Sequence, residues 1–237
     1  MLVLLWHFND GDVLSRTFTD LLRMELYLIR HGQSQNNARP EKLREEDPSL
    51  TEDGRRQADH LAEWIHHLRL TRLITSPFLR TLETTAHLCK RLDLIPEVRV
   101  DLHELGGCVA GPRIRALKGR PGMTRSQIED RYPGIKVATD IDEQGWWRCK
   151  PYEAYSLARR RAALLLRRTR DEFGQSSERV AYVTHADIAV VFLEQFHDEP
   201  LECPWHTSVS IIAISPRETR LADYNLVEHL PAELMTR

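Results

Sequence analysis

The stretch MELYLIRHGQSQNN, residues 24–37, decides how the chain is read. A short apolar run ends in Arg30 and His31, and Gly32 with small polar residues then turns the chain away. Runs of this length closed by a glycine are buried strands with a loop behind them. A cation and an imidazole at such a strand end ask for a reason, because these side chains at loop positions are ordinarily just solvated.

Outward from this stretch the same unit recurs. Thr51 precedes EDGRRQADHLAEWIHHL, where Ala58, Leu61, Ala62, Ile65 and Leu68 recur at helical spacing and Glu52 and Asp53 suit a helix start. RLITS (72–76) reads as a second strand, ended by Pro77 before a helix with Leu79, Leu82, Ala86 and Leu88 as its apolar stripe. EVRVDL (97–102) reads as a third strand. From Gly106 to Gly145 the pattern dissolves into Gly, Pro and charge, with one short helix expected after a Thr124 cap. From Pro151 a helix resumes, with Tyr155, Ala158, Ala162, Leu165, Leu166 and Phe173 inward and its arginines as a solvated face. The strand RVAYVT (179–184), the helix ADIAVVFLEQF and a strand pair around Pro216 complete the chain.

Strands alternating with helices imply an α/β three-layer sandwich: a mostly parallel central sheet flanked by helices, with an antiparallel edge from the last pair. Residues 1–23 are expected to be an extension outside the fold, since Met24 heads the first strand. Residues 24–237 then form one domain, with 105–150 inserted as a cap.

The 33 basic and 35 acidic residues leave a net charge of −2, which provides no global attraction to nucleic acid or to an anionic membrane. Any anion site must be local. Cys89, Cys108, Cys149 and Cys203 form no C-x-x-C pair, which speaks against a zinc knuckle and for reduced thiols in the cytoplasm. MLVLLW lacks the basic flank and cleavage pattern of a signal peptide, and no stretch approaches the roughly 18 apolar residues of a membrane span.

Ligands of open α/β sheets gather beyond the carboxyl ends of strands. Four such ends carry reactive groups here: Arg30 and His31, then Arg80 beyond TSP, then His103 and Glu104, then His185. If these strands are neighbours, two arginines, histidines and a carboxylate converge on one crevice. HE at 103–104, HAD at 185–187 and DIDEQG at 140–145 form no metal-binding motif.

The blocks RHGQSQNN, LTEDGRRQA, TSPFLRTLETTA, LHELGG and VTHAD, in this order over residues 24–190, resemble the signature blocks of the histidine phosphatase superfamily, also called phosphoglycerate mutase-like. That resemblance implies a phosphoglycerate mutase-like fold, with residues 24–237 as the catalytic domain and His31 as the nucleophile that forms a phosphohistidine. It implies that Arg30, Arg80 and His185 hold the phosphoryl oxygens, with Asn37 and Ser34 as auxiliary phosphate contacts. Glu104 fits the general acid, with His103 as its rival, since neighbours near a strand end face opposite sides. Ala186 stands where a glycine often follows the second histidine, and GGCVAG departs from the usual acidic-glycine pattern after the acid.

The tyrosine-glycine and asparagine-lysine stretch of the cofactor-dependent mutases is missing from LGGCVAGPRIRALKGRPG, so hydrolysis is preferred over transfer. The expectation is a phosphomonoester hydrolase for a small phosphorylated substrate, without metal or cofactor. The alternatives are a mutase-like phosphotransferase and a noncatalytic phosphate-binding or protein-interaction module. The oligomeric state stays open, a homodimer included. In the cap, Arg113, Arg115, Lys118 and Arg120 are candidates for a second anion and Trp146 and Trp147 for an apolar group. The plain alternatives are solvated loop charge and cap packing.

Overall fold

The computed structural model describes residues 23–111 and 116–237. The expected extension, apart from Arg23, lies outside the described residues, as do Arg113 and Arg115. Strand β1 (Met24–Arg30) is the spine of the sheet, parallel to β7 (Arg179–Thr184) on one side and antiparallel to β8 (Val209–Ile214) on the other. Beyond β7 lie β2 (Arg72–Thr75), β3 (Glu97–Val98) and β6 (Lys136–Val137), all parallel, and beyond β8 lies β9 (Thr219–Leu226). The order β6-β3-β2-β7-β1-β8-β9 makes the four strands that carry the candidate residues consecutive neighbours.

Side chains of a strand point alternately to the two faces, and this sorts the core. Met24, Leu26 and Leu28 join a cluster with residues of helices α5 (Tyr155–Phe173) and α6 (Ala186–Leu193). Tyr27 and Ile29 join the opposite cluster, with residues of α2 (Glu52–Ile65) and α3 (Leu79–Leu88). The fold is therefore an α/β sandwich of three layers, as the alternation of elements implies.

Several local expectations need correction. Only Glu97–Val98 of EVRVDL is strand, and Val100–Leu102 curls into a 3₁₀ turn. The alternating charges that suggested a strand are taken up by α5 instead: Arg99 donates to Glu172 at 2.8 Å and Arg168 to Asp101 at 3.1 Å. Segment 105–150, expected as a cap, joins the sheet itself, because its β6 extends the ladder beside β3. It also holds a hairpin of β4 (Val109–Ala110) and β5 (Lys118–Gly119), and helix α4 (Arg125–Arg131), whose Gln127 N–H donates to the Thr124 hydroxyl. Trp146 and Trp147 are both buried among Phe78, Leu82, Val98 and Ile141, so packing is what they do. On α5, Tyr155 is exposed, and Thr169 completes the inward face with Ala158, Ala162, Leu165 and Leu166. Arg161 is no solvated charge; its side chain is 12% exposed and forks onto the Glu153 carboxylate. The inward face of α3 is mainly threonine, with Thr81, Thr84 and Thr85 buried where Leu79 and Ala86 were expected.

Two glycines fix how the loop after β1 meets helix α2. A Cβ on Gly32 would stand 2.5 Å from the Gly54 carbonyl oxygen, and one on Gly54 would stand 2.0 Å from the Gln33 carbonyl oxygen. Thr51 secures this contact from both directions, donating its N–H to Gln33 O at 2.9 Å and accepting the Gly54 N–H on its hydroxyl at 2.9 Å. Gly54→Ala inserts a methyl group into a contact of backbone on backbone and should destabilise the protein by about 3 kcal/mol in urea unfolding. Unchanged stability would mean that the loop has room to retreat.

Candidate active site

His31 follows the last residue of β1, and its ring is 3% exposed. Its Nδ1 lies 2.6 Å from the Gly32 carbonyl oxygen, which can only accept, so Nδ1 carries the ring proton. The Nε2 lone pair is then available, and Arg80 Nε donates to it at 3.1 Å. Burial, together with the Arg80 and Arg30 cations, holds the imidazole well below its ordinary pKa, and the ring is neutral near pH 7. Arg80 sits in the first turn of α3 with its guanidinium 4.1 Å from the centre of the Phe78 ring. One turn on, the Thr84 hydroxyl donates to the Arg80 carbonyl at 2.7 Å and accepts the Gly32 N–H at 3.1 Å. The polar inner face of α3 thus couples Arg80 to the loop that holds His31.

Arg30 is 6% exposed. Its Nη1 donates to the Pro204 carbonyl at 2.5 Å and its Nη2 to His206 Nε2 at 2.9 Å, while its Nε has no partner among the described residues. Neither Arg30 nor Arg80 forms an ion pair with a carboxylate among the described residues. Asp47 comes near Arg80, but it accepts the Leu79 N–H at 2.8 Å, and burial pushes its carboxyl up to about 7, which makes it a weak counter-charge.

His185 follows β7 and opens α6, with its ring centre 5.1 Å from that of His31. Ser76, just past β2, accepts the Phe78 N–H, and its hydroxyl lies 2.7 Å from His185 Nε2. Burial and the Arg80 cation hold this ring well below its ordinary pKa, and its Nδ1 is buried without a partner among the described residues. Ser34 and Asn37 hold each other at the start of α1 (Gln35–Ala38): the Asn37 Oδ1 accepts from the Ser34 hydroxyl at 2.6 Å and N–H at 3.0 Å. Both also line the cleft.

Of Glu104 and His103, it is Glu104 whose side chain lines the cleft. Its Oε1 accepts the N–H of Leu105 at 2.8 Å and of Ile188 at 3.1 Å. Burial and the nearby Asp187 carboxylate push the Glu104 carboxyl up to about 7. His103 turns away to pack 4.9 Å from the Trp147 ring, and its Nδ1 donates to the Glu104 carbonyl at 2.8 Å. Arg161 braces this corner from behind, donating to the carbonyls of Asp101 at 2.8 Å and His103 at 2.9 Å.

Arg30, His31, Arg80 and Glu104 together form the floor of a cleft of about 430 Å³. Leu105, Val109, Leu117 and Tyr152 give it one apolar wall, and Asn36, Glu45 and Asp187 contribute polar groups. Of the two candidate cap cations within the described residues, Arg120 is paired with Glu46 at 3.1 Å, and neither it nor Lys118 lines the cleft. Among the described residues no group of three or more His, Cys, Asp or Glu side chains gathers as a metal site, and no helix is long and apolar enough to cross a membrane.

His206, Ser76, Thr84 and Asp187 were not assigned from the sequence. A signal for His206 was present. It stands just before β8, and a strand antiparallel to β1 begins where β1 ends, which is the carboxyl edge of the sheet.

Known proteins give this geometry its context. A probable phosphoglycerate mutase GpmB from Photorhabdus laumondii is 30% identical over 118 residues, which cover 48% of this chain and 54% of that one. The chain therefore spans about half the length of this curated relative. Mycobacterial glucosyl-3-phosphoglycerate phosphatase shares the fold with a TM-score of 0.58 at 20% identity, over 86% of this chain and 100% of the other. A second mycobacterial structure, hydrolase 2, has a TM-score of 0.61 at 20% identity, over 90% and 94% of the two chains. Residues 26–227 match the family model of the histidine phosphatase superfamily (branch 1), and with that match the chain belongs to this superfamily.

Proposed function

We propose that the protein is a phosphomonoester hydrolase that works through a phosphohistidine at His31. The observation that carries the reading is the pair of guanidiniums, Arg30 and Arg80, beside a neutral imidazole whose unprotonated Nε2 faces the Arg80 Nε–H, with no carboxylate ion pair among the described residues. A buried charge without a partner costs on the order of several kcal/mol, and a phosphoryl dianion is the partner that removes this cost for both arginines at once.

The steps follow from the proton positions. His31 Nε2 attacks phosphorus, the phosphorus–oxygen bond of the ester breaks, and the Glu104 carboxyl gives its proton to the leaving oxygen. The Gly32 carbonyl, holding Nδ1–H, steadies the positive charge that develops on the ring. Arg30 and Arg80, with His185 5.1 Å from the His31 ring, receive the negative charge on the phosphoryl oxygens, the work that needs positioning and electrostatics. In the second half Glu104, now a carboxylate, takes a proton from water as the water oxygen bonds to phosphorus. The phosphorus–nitrogen bond breaks, and inorganic phosphate leaves.

The arginines supply the charge compensation, so no metal is assigned a step. Segment 105–150 serves as the cap, Asn37 and Ser34 as auxiliary contacts, and a small phosphorylated molecule as substrate. Four free cysteines fit a cytoplasmic setting. A phosphoglycerate mutase activity is the second reading, favoured by the identity to the GpmB protein. The open, solvent-facing cleft, with Asn37, Glu45 and Asp187 exposed along it, favours water as the acceptor.

With EDTA present, the protein should hydrolyse an aryl phosphate, and His31→Ala should abolish both turnover and acid-labile phosphoenzyme, as trapping with labelled ester will show. Arg80→Lys should lower kcat/KM by about 100-fold, since an ammonium lacks the planar fork. With 3-phosphoglycerate, isomerisation without phosphate release would replace the hydrolase reading by the mutase one.

The acid makes a separate prediction. Glu104 must be protonated for the first half-reaction, so kcat/KM should fall as pH rises through about 7, and Glu104→Gln should lose that limb together with most activity. Stability moves in the same direction. A carboxyl raised from 4.5 to about 7 stabilises the fold below pH 4.5, and that contribution is lost as pH rises through 7. Thermal melts of Glu104→Gln should therefore exceed wild type at pH 8 by more than at pH 5.

A further inference from the structure

We propose that His206 and the segment Leu234–Thr236 form a relay that fixes the Arg30 guanidinium for phosphate, a positioning role that rests on Arg30 being a phosphate ligand. A guanidinium has donors only, so His206 Nε2, 2.9 Å from Arg30 Nη2, must accept. That requires the ring proton to sit on Nδ1. There it meets Thr236, whose carbonyl oxygen and hydroxyl are each 2.9 Å away, and the carbonyl can only accept. The same carbonyl also takes the His206 backbone N–H at 3.0 Å. Burial and the Arg30 cation push the His206 imidazole down to about 3, so it remains a neutral acceptor through the physiological range.

The segment is itself anchored to the nucleophile loop. Gln57, fully buried on α2, donates its amide to the Leu234 carbonyl at 2.7 Å and the Thr236 hydroxyl at 2.8 Å. Its Oε1 accepts the Gln33 N–H at 2.8 Å, two residues beyond His31. Arg237 closes the 202–206 loop from outside, 2.5 Å from the Glu202 carboxylate and 4.3 Å above the Trp205 ring. One short segment thus references both His31, through Gln57, and Arg30, through His206. It lies beyond residue 227, where the match to the family model ends.

The arrangement fixes which donors of Arg30 stay available. The Pro204 carbonyl at 2.5 Å and His206 occupy one hydrogen on each Nη, with Cys203 Sγ 3.8 Å from Nη1. With Nη1 shared between Pro204 and Cys203, the unpartnered Nε–H and the second hydrogen of Nη2 remain for phosphoryl oxygens. Without the acceptor at His206 the guanidinium is free to rotate about its last bonds, and that freedom must be lost again when phosphate binds.

The test uses the full chain with His206→Leu, His206→Gln and Thr236→Val. KM and kcat for an aryl phosphate, orthovanadate affinity by calorimetry, and melting temperature are read for each. His206→Leu should raise KM and weaken vanadate binding about tenfold. His206→Gln, whose amide oxygen can accept from Arg30, should restore most of both. Thr236→Val keeps the carbonyl and loses only the hydroxyl, and should weaken vanadate about threefold with its melting temperature close to wild type. Wild-type vanadate affinity and KM in folded His206→Leu would overturn the relay. If that variant does not fold, wild-type vanadate affinity in Thr236→Val does so, and equal damage from His206→Gln and His206→Leu also counts against it. A wild type that binds vanadate but hydrolyses no ester sinks the hydrolase reading while the vanadate series still decides the relay. A wild type that does not bind vanadate ends both.

Discussion

The hydrogen bond from His31 Nδ1–H to the carbonyl of the next residue, 2.6 Å long, sets terms that the surrounding structure has to meet. It fixes the tautomer and leaves Nε2 unprotonated. The loop that follows passes helix α2 where the Gly32 and Gly54 backbones touch and no side chain would fit. Helix α2 must then begin at Thr51, and α3 must present threonine rather than leucine to the loop. A polar face on an inner helix lowers hydrophobic burial, and here it holds Arg80 in register with His31.

The electrostatics of the cleft are deliberately unfinished. Buried guanidiniums normally end in carboxylates, as Arg161 does with Glu153 and Arg99 does with Glu172 in the same molecule. Arg30 and Arg80 end instead in carbonyl, imidazole and open space. Of the acids around the two arginines, Glu104 and Asp47 are both pushed up to about 7, mainly by burial, so neither brings a dependable full negative charge. The floor of the cleft keeps a positive potential suited to an anion, and its acid keeps a proton to give away.

Much of this was legible from residue order, because the parallel strands announce themselves as apolar runs and their carboxyl ends can be read one after another. The identity of Arg30, His31, Arg80, Glu104 and His185 as neighbours needs only that β3, β2, β7 and β1 adjoin, which they do. What escaped has a physical reason in each case. Val100–Leu102 carries a strand-like alternation because Arg99 and Asp101 bind charges on α5, and side-chain pairing of that kind mimics the pattern of a half-buried strand. Arg161 looked like one arginine in a basic run, since helical spacing alone cannot show that a carboxylate waits behind it. His206 lay hidden because it serves Arg30 from an antiparallel strand, whose beginning and not its end faces the cleft.

That antiparallel strand has a consequence for how the protein is made. The first strand of the fold has both its neighbours late in sequence, β7 and β8, so β1 emerges from the ribosome with neither side paired. Local structure such as α2 and α3 can form early, but pairing across such separations is slow and waits for most of the chain. Arg30 is held through His206 by Thr236, so the guanidinium acquires this setting only after both of these later residues have been made. A nascent chain that stops short of Thr236 therefore lacks this hold on Arg30.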